Sequence, residues 1–148
     1  MIAIGADHRG FKLKEELKKF LDETGIEYID CGTYSNETVH YPEMAKKVAQ
    51  TVQEEKAEGG ILICGSGGGM TIAANKFKGI RCECCYSEES AIEAKSHNGI
   101  NVIALPADRI NISTAVATIR AWLGTDVLDG RYKERRMMIE EIENENMK

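Results

Sequence analysis

Residues 61–76 read ILICGSGGGMTIAANK, a pattern that joins three kinds of local structure. The apolar run that ends at Cys64 predicts a buried strand, and the glycines that follow it predict a loop. The small residues from about Met70 to Lys76 predict a short helix. A strand, a glycine-rich loop and a helix in this order are typical of a parallel sheet that is covered by helices.

The same alternation of short apolar runs and helical segments extends along the whole chain. The β-rich runs predict five strands, at 2–6, 27–31, 60–64, 81–85 and 101–105. The spacing of apolar residues predicts six helices: one that ends at Gly25, one that starts at Pro42, one at 70–76, one capped by Ser87 or Ser90 that runs through Lys95, one at 112–123 and one at 131–147. We therefore predict one α/β domain over residues 1–148, with helices on both faces of a parallel sheet.

Composition excludes several classes of function. The chain has 148 residues, with 19 Lys and Arg against 24 Asp and Glu, so its formal net charge is −5 (19 − 24). A chain of this length buries enough surface to fold without disulfides or a structural metal. Nucleic-acid binders usually carry a basic face, so an acidic chain argues against nucleic acid as a partner. Any anion that this chain binds has to be held by a local site.

The hydrophobic segments indicate a cytoplasmic protein. The longest apolar runs, 60–64 and 102–105, are far shorter than the roughly 20 residues of a membrane span. The first six residues lack the basic flank and the long apolar region of a signal peptide. The five cysteines form an odd set, and in a reducing compartment we expect them to be free thiols.

The final segment, 131–147, differs from the other predicted helices. Met138 and Ile142 have helical spacing, but the segment has too little apolar surface to cover a core by itself. We expect this helix to pack on a partner subunit.

The glycine-rich loop at 65–69 is the first candidate for chemistry. Glycines let backbone N–H groups approach an anion closely, so the loop fits either a phosphate or the developing oxyanion of an enediolate. The spacing differs from a Walker A loop and from the dinucleotide fingerprint, which makes nucleotide binding the weaker interpretation. Cys64 ends the strand at this loop, where it is either a base or nucleophile or simply a small buried residue.

Other polar residues follow strand ends or lie near them. Asp7 and His8 come directly after the first strand, where Asp7 fits either catalysis or a helix cap. His97 and Asn98 precede the fifth strand, where His97 either exchanges protons with a sugar hydroxyl as a neutral imidazole or simply ends a helix. The remaining candidates form three groups. The Arg131 and Arg135 pair suits a phosphate or forms a solvated face, and the His40 and Tyr41 pair lines a pocket or shapes a turn. The third group is Cys82, Cys84 and Cys85, whose spacing favours packing over a metal.

Taken together, these motifs resemble the type B ribose-5-phosphate isomerases, a family that includes the galactose-6-phosphate isomerase subunits. The resemblance covers nearly the whole chain and rests on residues 5–11, 30–33, 41–42, 63–76, 97–102 and 130–135. It implies an aldose–ketose isomerase of the pentose phosphate pathway that needs neither metal nor cofactor. It also implies a Rossmann-like three-layer α/β/α sandwich with a five-stranded parallel sheet. Such proteins are usually homodimers or dimers of dimers, with active sites shared between two subunits.

The resemblance also implies roles for individual residues. Cys64 would be the base that moves a proton between C1 and C2, and His97, with Asp7 nearby, would open the sugar ring. The other roles carried over by position concern substrate binding: Ser66 with the amides of Gly65, Gly67, Gly68 and Gly69 for the enediolate; His8, Arg131 and Arg135 for the phosphate; and Asn98, Tyr41 and Asp7 as further contacts.

Two departures from the family pattern concern the substrate. The family usually has Gly-x-Arg before the penultimate helix, whereas this chain has Pro106-Ala107-Asp108, with Arg109 one place late. His40 stands where ribose-specific members have Asp, and the galactose-type subunits share a His there. The expected reaction interconverts ribose 5-phosphate and ribulose 5-phosphate. The alternatives are a 6-phosphohexose, such as allose or galactose 6-phosphate, and a binding module that holds a phosphosugar without turnover.

Overall fold

Five strands and six helices alternate along the chain in a computed structural model that describes residues 1–147. The elements are β1 (Ile2–Ala6), α1 (Phe11–Glu23), β2 (Tyr28–Asp30), α2 (Tyr41–Gln53), β3 (Gly59–Cys64), α3 (Gly68–Ala74), β4 (Cys82–Cys84), α4 (Glu88–Asn98), β5 (Val102–Pro106), α5 (Ile112–Gly124) and α6 (Arg131–Asn146). Within residues 1–147, no helix is both long enough and apolar enough to cross a bilayer.

All neighbouring strands pair in parallel, and their order in the sheet is β2-β1-β3-β5-β4. The predicted five-stranded parallel α/β fold is therefore confirmed. From β1 the chain moves outward to β2, whereas from β3 it moves outward in the opposite direction. The carboxyl ends of β1 and β3 thus meet at the point where the strand order reverses, which is where open α/β sheets bind ligands.

Each face of the sheet carries its own hydrophobic core. Because side chains alternate along a strand, Ile61 and Ile63 pack on one face with α1, α4 and α5. Leu62 and Cys64 point to the other face, which α2 and α3 cover. The alternation therefore directs the Cys64 side chain toward α2 and α3.

The largest differences from the sequence prediction lie in α3 and α4. The helix α3 runs from Gly68 to Ala74 rather than from 70 to 76, and its N-cap residue is Gly67, with a left-handed φ of +78°. The helix α4 continues past Lys95 to Asn98 and ends at Gly99, whose left-handed φ of +56° is a common helix terminator. His97 therefore lies in the last turn of a helix. At the start of α4, Ser87 and Ser90 form a reciprocal capping box, so both predicted caps are used.

The helix α6 has no buried side chain, as its sequence indicated. Arg136 ties it to the chain by donating to the backbone oxygens of His97 and Leu128, at 2.9 and 2.8 Å. The Gly79 N–H donates to Glu143 at 2.9 Å. The apolar side chains Met137, Met138, Ile139 and Ile142 each remain about half exposed. A helix with this pattern is typical of an element that packs on a second chain.

A buried ion pair fixes α1 to β2. Lys14 is fully buried, and its Nζ donates to both carboxylate oxygens of Asp30 at 2.7 Å. Lys18 donates to the same carboxylate at 2.9 Å. Burial by itself raises the pKa of Asp30, but the hydrogen bonds from Lys14 and Lys18 outweigh it, so the pKa lies below the ordinary 3.8. A carboxylate with a lowered pKa stabilises the fold above its unfolded-state pKa, and this contribution disappears as the pH falls through the folded-state value.

We expect Lys14→Met to reduce the free energy of unfolding by about 3 kcal/mol at pH 7, because the Asp30 charge loses its buried partner. The reduction should shrink only at pH values well below the ordinary carboxyl pKa of 3.8, because the lowered pKa of Asp30 keeps its carboxylate charged down to there. Urea unfolding at pH 7 and through the acid range measures this. Lys19→Met, on an exposed position of α1, is the matched control and should stay within about 0.5 kcal/mol. Equal stability of Lys14→Met and wild type at pH 7 would contradict this role.

Candidate active site

A cavity of about 580 Å³ opens at the carboxyl ends of β1, β3 and β5. Its lining consists of Asp7, Arg9, Tyr41, Cys64, Gly65, Ser66, Gly69, Asp108 and Arg109. Most of these residues come from the segments that follow the three strands, and Tyr41 comes from the start of α2. The sheet topology thus gathers residues that are far apart in sequence at the switch point.

The sulfur of Cys64 lies at the inner wall of this cavity. Its Sγ accepts the Gly67 N–H at 3.2 Å, and this hydrogen bond stabilises negative charge on the sulfur. Cys64 is the cysteine that lines the cavity, and only 4% of its surface is exposed. This arrangement fits a base that acts in a space shielded from bulk water.

The cysteines near β4 have a different environment. Burial raises the pKa of the Cys82 and Cys85 thiols to about 12, so both stay protonated at neutral pH. Cys82 and Cys84 pack on the α2 and α3 side of the sheet, whereas Cys85 packs on the other side. The predicted packing of Cys82 and Cys84 on one face is therefore confirmed.

The glycine-rich loop is shaped by close contacts. The Gly68 N–H donates to the Ser66 Oγ at 3.2 Å, and the Gly67 N–H is directed at Cys64. Gly65 and Gly69 line the cavity together with Ser66. A Cβ atom at Gly69 would lie 2.6 Å from the ring of Tyr41, so glycine lets that ring close over the loop.

We expect Gly67→Ala to destabilise the fold by about 1–3 kcal/mol, for two reasons. Its φ of +78° disfavours any residue with a side chain, and the added Cβ would lie 2.5 Å from the Cys84 Sγ. Gly68→Ala is the matched control, because its Cβ would meet only the Ser66 Oγ, at 3.6 Å. Urea unfolding of both variants measures the difference. Equal stabilities would show that the loop conformation does not depend on Gly67.

Asp7 and His8 are both held by backbone groups. The Asp7 Oδ1 accepts the N–H groups of Arg9 and Gly10, at 3.0 and 3.1 Å, in the turn that precedes α1, and Asp7 also faces the cavity. The N-cap residue of α1 is Gly10, which has no side-chain cap, so Asp7 orders the turn before the helix rather than capping the helix itself. The His8 Nδ1 accepts the Val39 N–H at 3.3 Å, which leaves Nε2 as the N–H donor of the neutral ring.

His97 and Asn98 lie at the opposite edge of the sheet from Cys64. They end α4, which leads into the first residue of β5, whereas Asp108 and Cys64 lie at the carboxyl ends of the strands. The five residues of β5 separate the two edges by about 16 Å. The expected proximity of His97 to Asp7 is therefore absent within residues 1–147 of one chain.

A second group of polar side chains surrounds His97. The His97 ring stacks on the Tyr132 ring, with centroids 4.3 Å apart. The guanidinium groups of Arg131 and Arg135 lie 5.1 and 6.0 Å from the centroid of that same ring. The Asn98 Nδ2 donates to Glu83 at 3.2 Å. One chain therefore holds two separate groups, one with Cys64 and the other with His97 and the two arginines.

One charged pair in the cavity was not predicted from the sequence. Arg9 and Asp108 form an ion pair across it, although 99 positions separate them in the sequence. Arg109 also lines the cavity. One feature of the sequence could have predicted this pair: charged residues follow both β1 and β5, and the carboxyl ends of these strands lie at the same edge of the sheet. His40, in contrast, is exposed and lies outside this lining.

Comparisons with known proteins find relatives that match nearly the whole chain. A family model described as Ribose/Galactose Isomerase matches residues 2–139. Ribose-5-phosphate isomerase B of Escherichia coli (strain K12) is 44% identical over 142 residues, which is 96% of this chain and 95% of that protein. The solved structure of Clostridium thermocellum ribose-5-phosphate isomerase B superposes with a TM-score of 0.95 at 40% identity, covering 97% of each chain. The 4-deoxy-4-sulfo-D-erythrose isomerase of Clostridium sp. (strain MSTE9) is 42% identical over 105 residues, 70% of this chain and 66% of that protein.

Proposed function

This chain belongs to the ribose/galactose isomerase family and is a sugar-phosphate isomerase, and we propose that it interconverts ribose 5-phosphate and ribulose 5-phosphate. The observation that carries the proposal is the position of Cys64, whose sulfur lines the switch-point cavity and accepts an amide N–H. This reaction would place the enzyme in the pentose phosphate pathway of the cytoplasm.

The proposed proton transfer uses Cys64 as the base. The Cys64 thiolate removes the proton from C2 of the open-chain aldose, and the electron pair forms the C1–C2 double bond of a cis-enediolate. The thiol then returns the proton to C1 while the hydroxyl proton on O2 moves to O1, so that C1 carries a hydroxyl and C2 becomes the carbonyl carbon of the ketose. Negative charge develops on the sugar oxygens during this step, and the Ser66 hydroxyl stabilises it together with the amides of Gly65 and Gly69, the loop glycines that line the cavity.

Ring opening and phosphate binding require the second group of side chains. We propose that a second copy of the chain brings its His97 and Asn98 to the Cys64 cavity, where His97 and Asp7 transfer protons during ring opening. Arg131 and Arg135 of that copy, together with His8, would bind the phosphate. The exposed apolar side of α6 supports a homodimer or homotetramer in which subunits complete one another's sites.

The substrate is tested by measuring kcat/KM with purified, metal-stripped protein. We expect ribose 5-phosphate to be preferred by at least about tenfold over allose 6-phosphate, galactose 6-phosphate and 4-deoxy-4-sulfo-D-erythrose. Preference for a hexose phosphate would instead favour the alternative suggested by His40 and Asp108. Binding without turnover of any of these sugars would favour the passive binding module.

A further inference from the structure

The Arg9 and Asp108 side chains form an ion pair directly over the glycine-rich loop. A Cβ atom at Gly65 would lie 2.7 Å from the Asp108 Oδ2 and 2.8 Å from the Arg9 Cζ. The pair therefore rests on the backbone of the residue that follows Cys64, and the absence of a side chain at Gly65 makes room for it. This position puts a guanidinium group in the wall of the cavity.

The four charged residues of the cavity differ in how many of their polar groups are left to bind a ligand. Asp7 is 5% exposed, and its carboxylate already accepts two backbone N–H groups. Asp108 is occupied by the Nη2 of Arg9. A guanidinium carries five N–H donors in a planar fork, so Arg9 can hold Asp108 on one edge and still present donors to the cavity.

Arg109 is the other cation in the lining, but its guanidinium forms no hydrogen bond to any group in the described part of the chain. Its side chain has to be ordered when a ligand binds, which reduces the affinity that it can contribute. Arg9 is already ordered by its ion pair with Asp108. Arg9 is thus the cation whose side chain is held in place before a ligand binds, and Asp108 is the residue that holds it.

We propose that Arg9 is a further binding residue for the anionic group of the substrate, and that Asp108 is a positioning residue that orients Arg9 toward it. The inference rests on the proposed function for the identity of the substrate as a phosphosugar. The group recognised is a tetrahedral oxyanion, which Arg9 meets with N–H donors from its free edge.

The first test uses Arg9→Gln. The KM for ribose 5-phosphate and the Kd for inorganic phosphate, measured by calorimetry, should each rise roughly tenfold or more, while kcat changes by less than about twofold. Arg9→Lys keeps the charge without the planar fork and should recover part of the loss. Arg120→Gln, an exposed arginine of α5, is the control for overall charge. A larger rise in KM from Arg109→Gln than from Arg9→Gln would overturn the assignment of Arg9.

The second test separates the role of Asp108 from that of Arg9. Asp108→Ala should raise KM in the wild-type background and have no further effect in the Arg9→Gln background. A fall in KM would show instead that the acid repels the substrate, and it would overturn the positioning role. The side chains of Arg9 and Asp108 are 58% and 42% exposed, so both variants should fold.

Phosphate calorimetry also distinguishes a failure of this inference from a failure of the proposed function. Loss of phosphate affinity in Arg9→Gln, in a protein that turns over no ribose 5-phosphate, would refute the function and keep the binding role. Turnover with unchanged phosphate affinity and KM in Arg9→Gln would keep the function and refute the binding role.

Discussion

Cys64→Ala is expected to lower kcat/KM for ribose 5-phosphate by at least about a thousandfold, because alanine has no group that can accept the substrate proton at this position. The Kd for inorganic phosphate should remain within about twofold, since the charged side chains proposed for the anion are unchanged. A coupled assay of ribulose 5-phosphate formation measures the rate, and calorimetry measures phosphate binding.

A matched cysteine variant shows whether the loss is specific to this thiol. Cys85→Ala removes a buried thiol whose pKa of about 12 keeps it protonated, on the face of the sheet opposite Cys64. It should keep activity within about threefold of wild type. If Cys64→Ala retained more than about a tenth of wild-type activity, Cys64 would not be the base.

Local pattern was sufficient to predict the sheet. Each predicted strand matches the observed one to within one residue at either end, because runs such as 61–63 are buried on both faces and read as continuous apolar segments. The short helix α3 was placed two residues late, since its first turn contains Gly68 and Gly69, which are poor helix formers. The close contacts at this turn come from Cys84 at Gly67 and from Tyr41 at Gly69, and local pattern does not show them.

Local sequence pattern also predicted part of the cavity. Residues next to one motif, such as Cys64 and Ser66, were found because the loop that carries them has a recognisable composition. The pairing of Arg9 with Asp108 depends on the order of strands in the sheet, which brings the ends of β1 and β5 to either side of β3. Strand order is a property of the packed fold, so local sequence does not determine which charges meet.

The separation of His97 from Asp7 leads to the prediction that tests the shared site. The Cys64→Ala and His97→Ala variants should each be inactive alone, because every site in either homodimer lacks one group. A mixed dimer of the two, isolated through two different affinity tags, should regain about half of wild-type activity, since one of its two sites then has both Cys64 and His97.

A second mixed dimer distinguishes a shared site from a site within one chain. When wild type is paired with the double variant Cys64→Ala/His97→Ala, shared sites each receive one altered group, so the dimer should be inactive. Sites contained in one chain would instead leave that dimer about half active, and the first mixed dimer would stay inactive. The two hypotheses thus predict opposite activities for both dimers, and the distance between the two edges of the sheet favours the shared site.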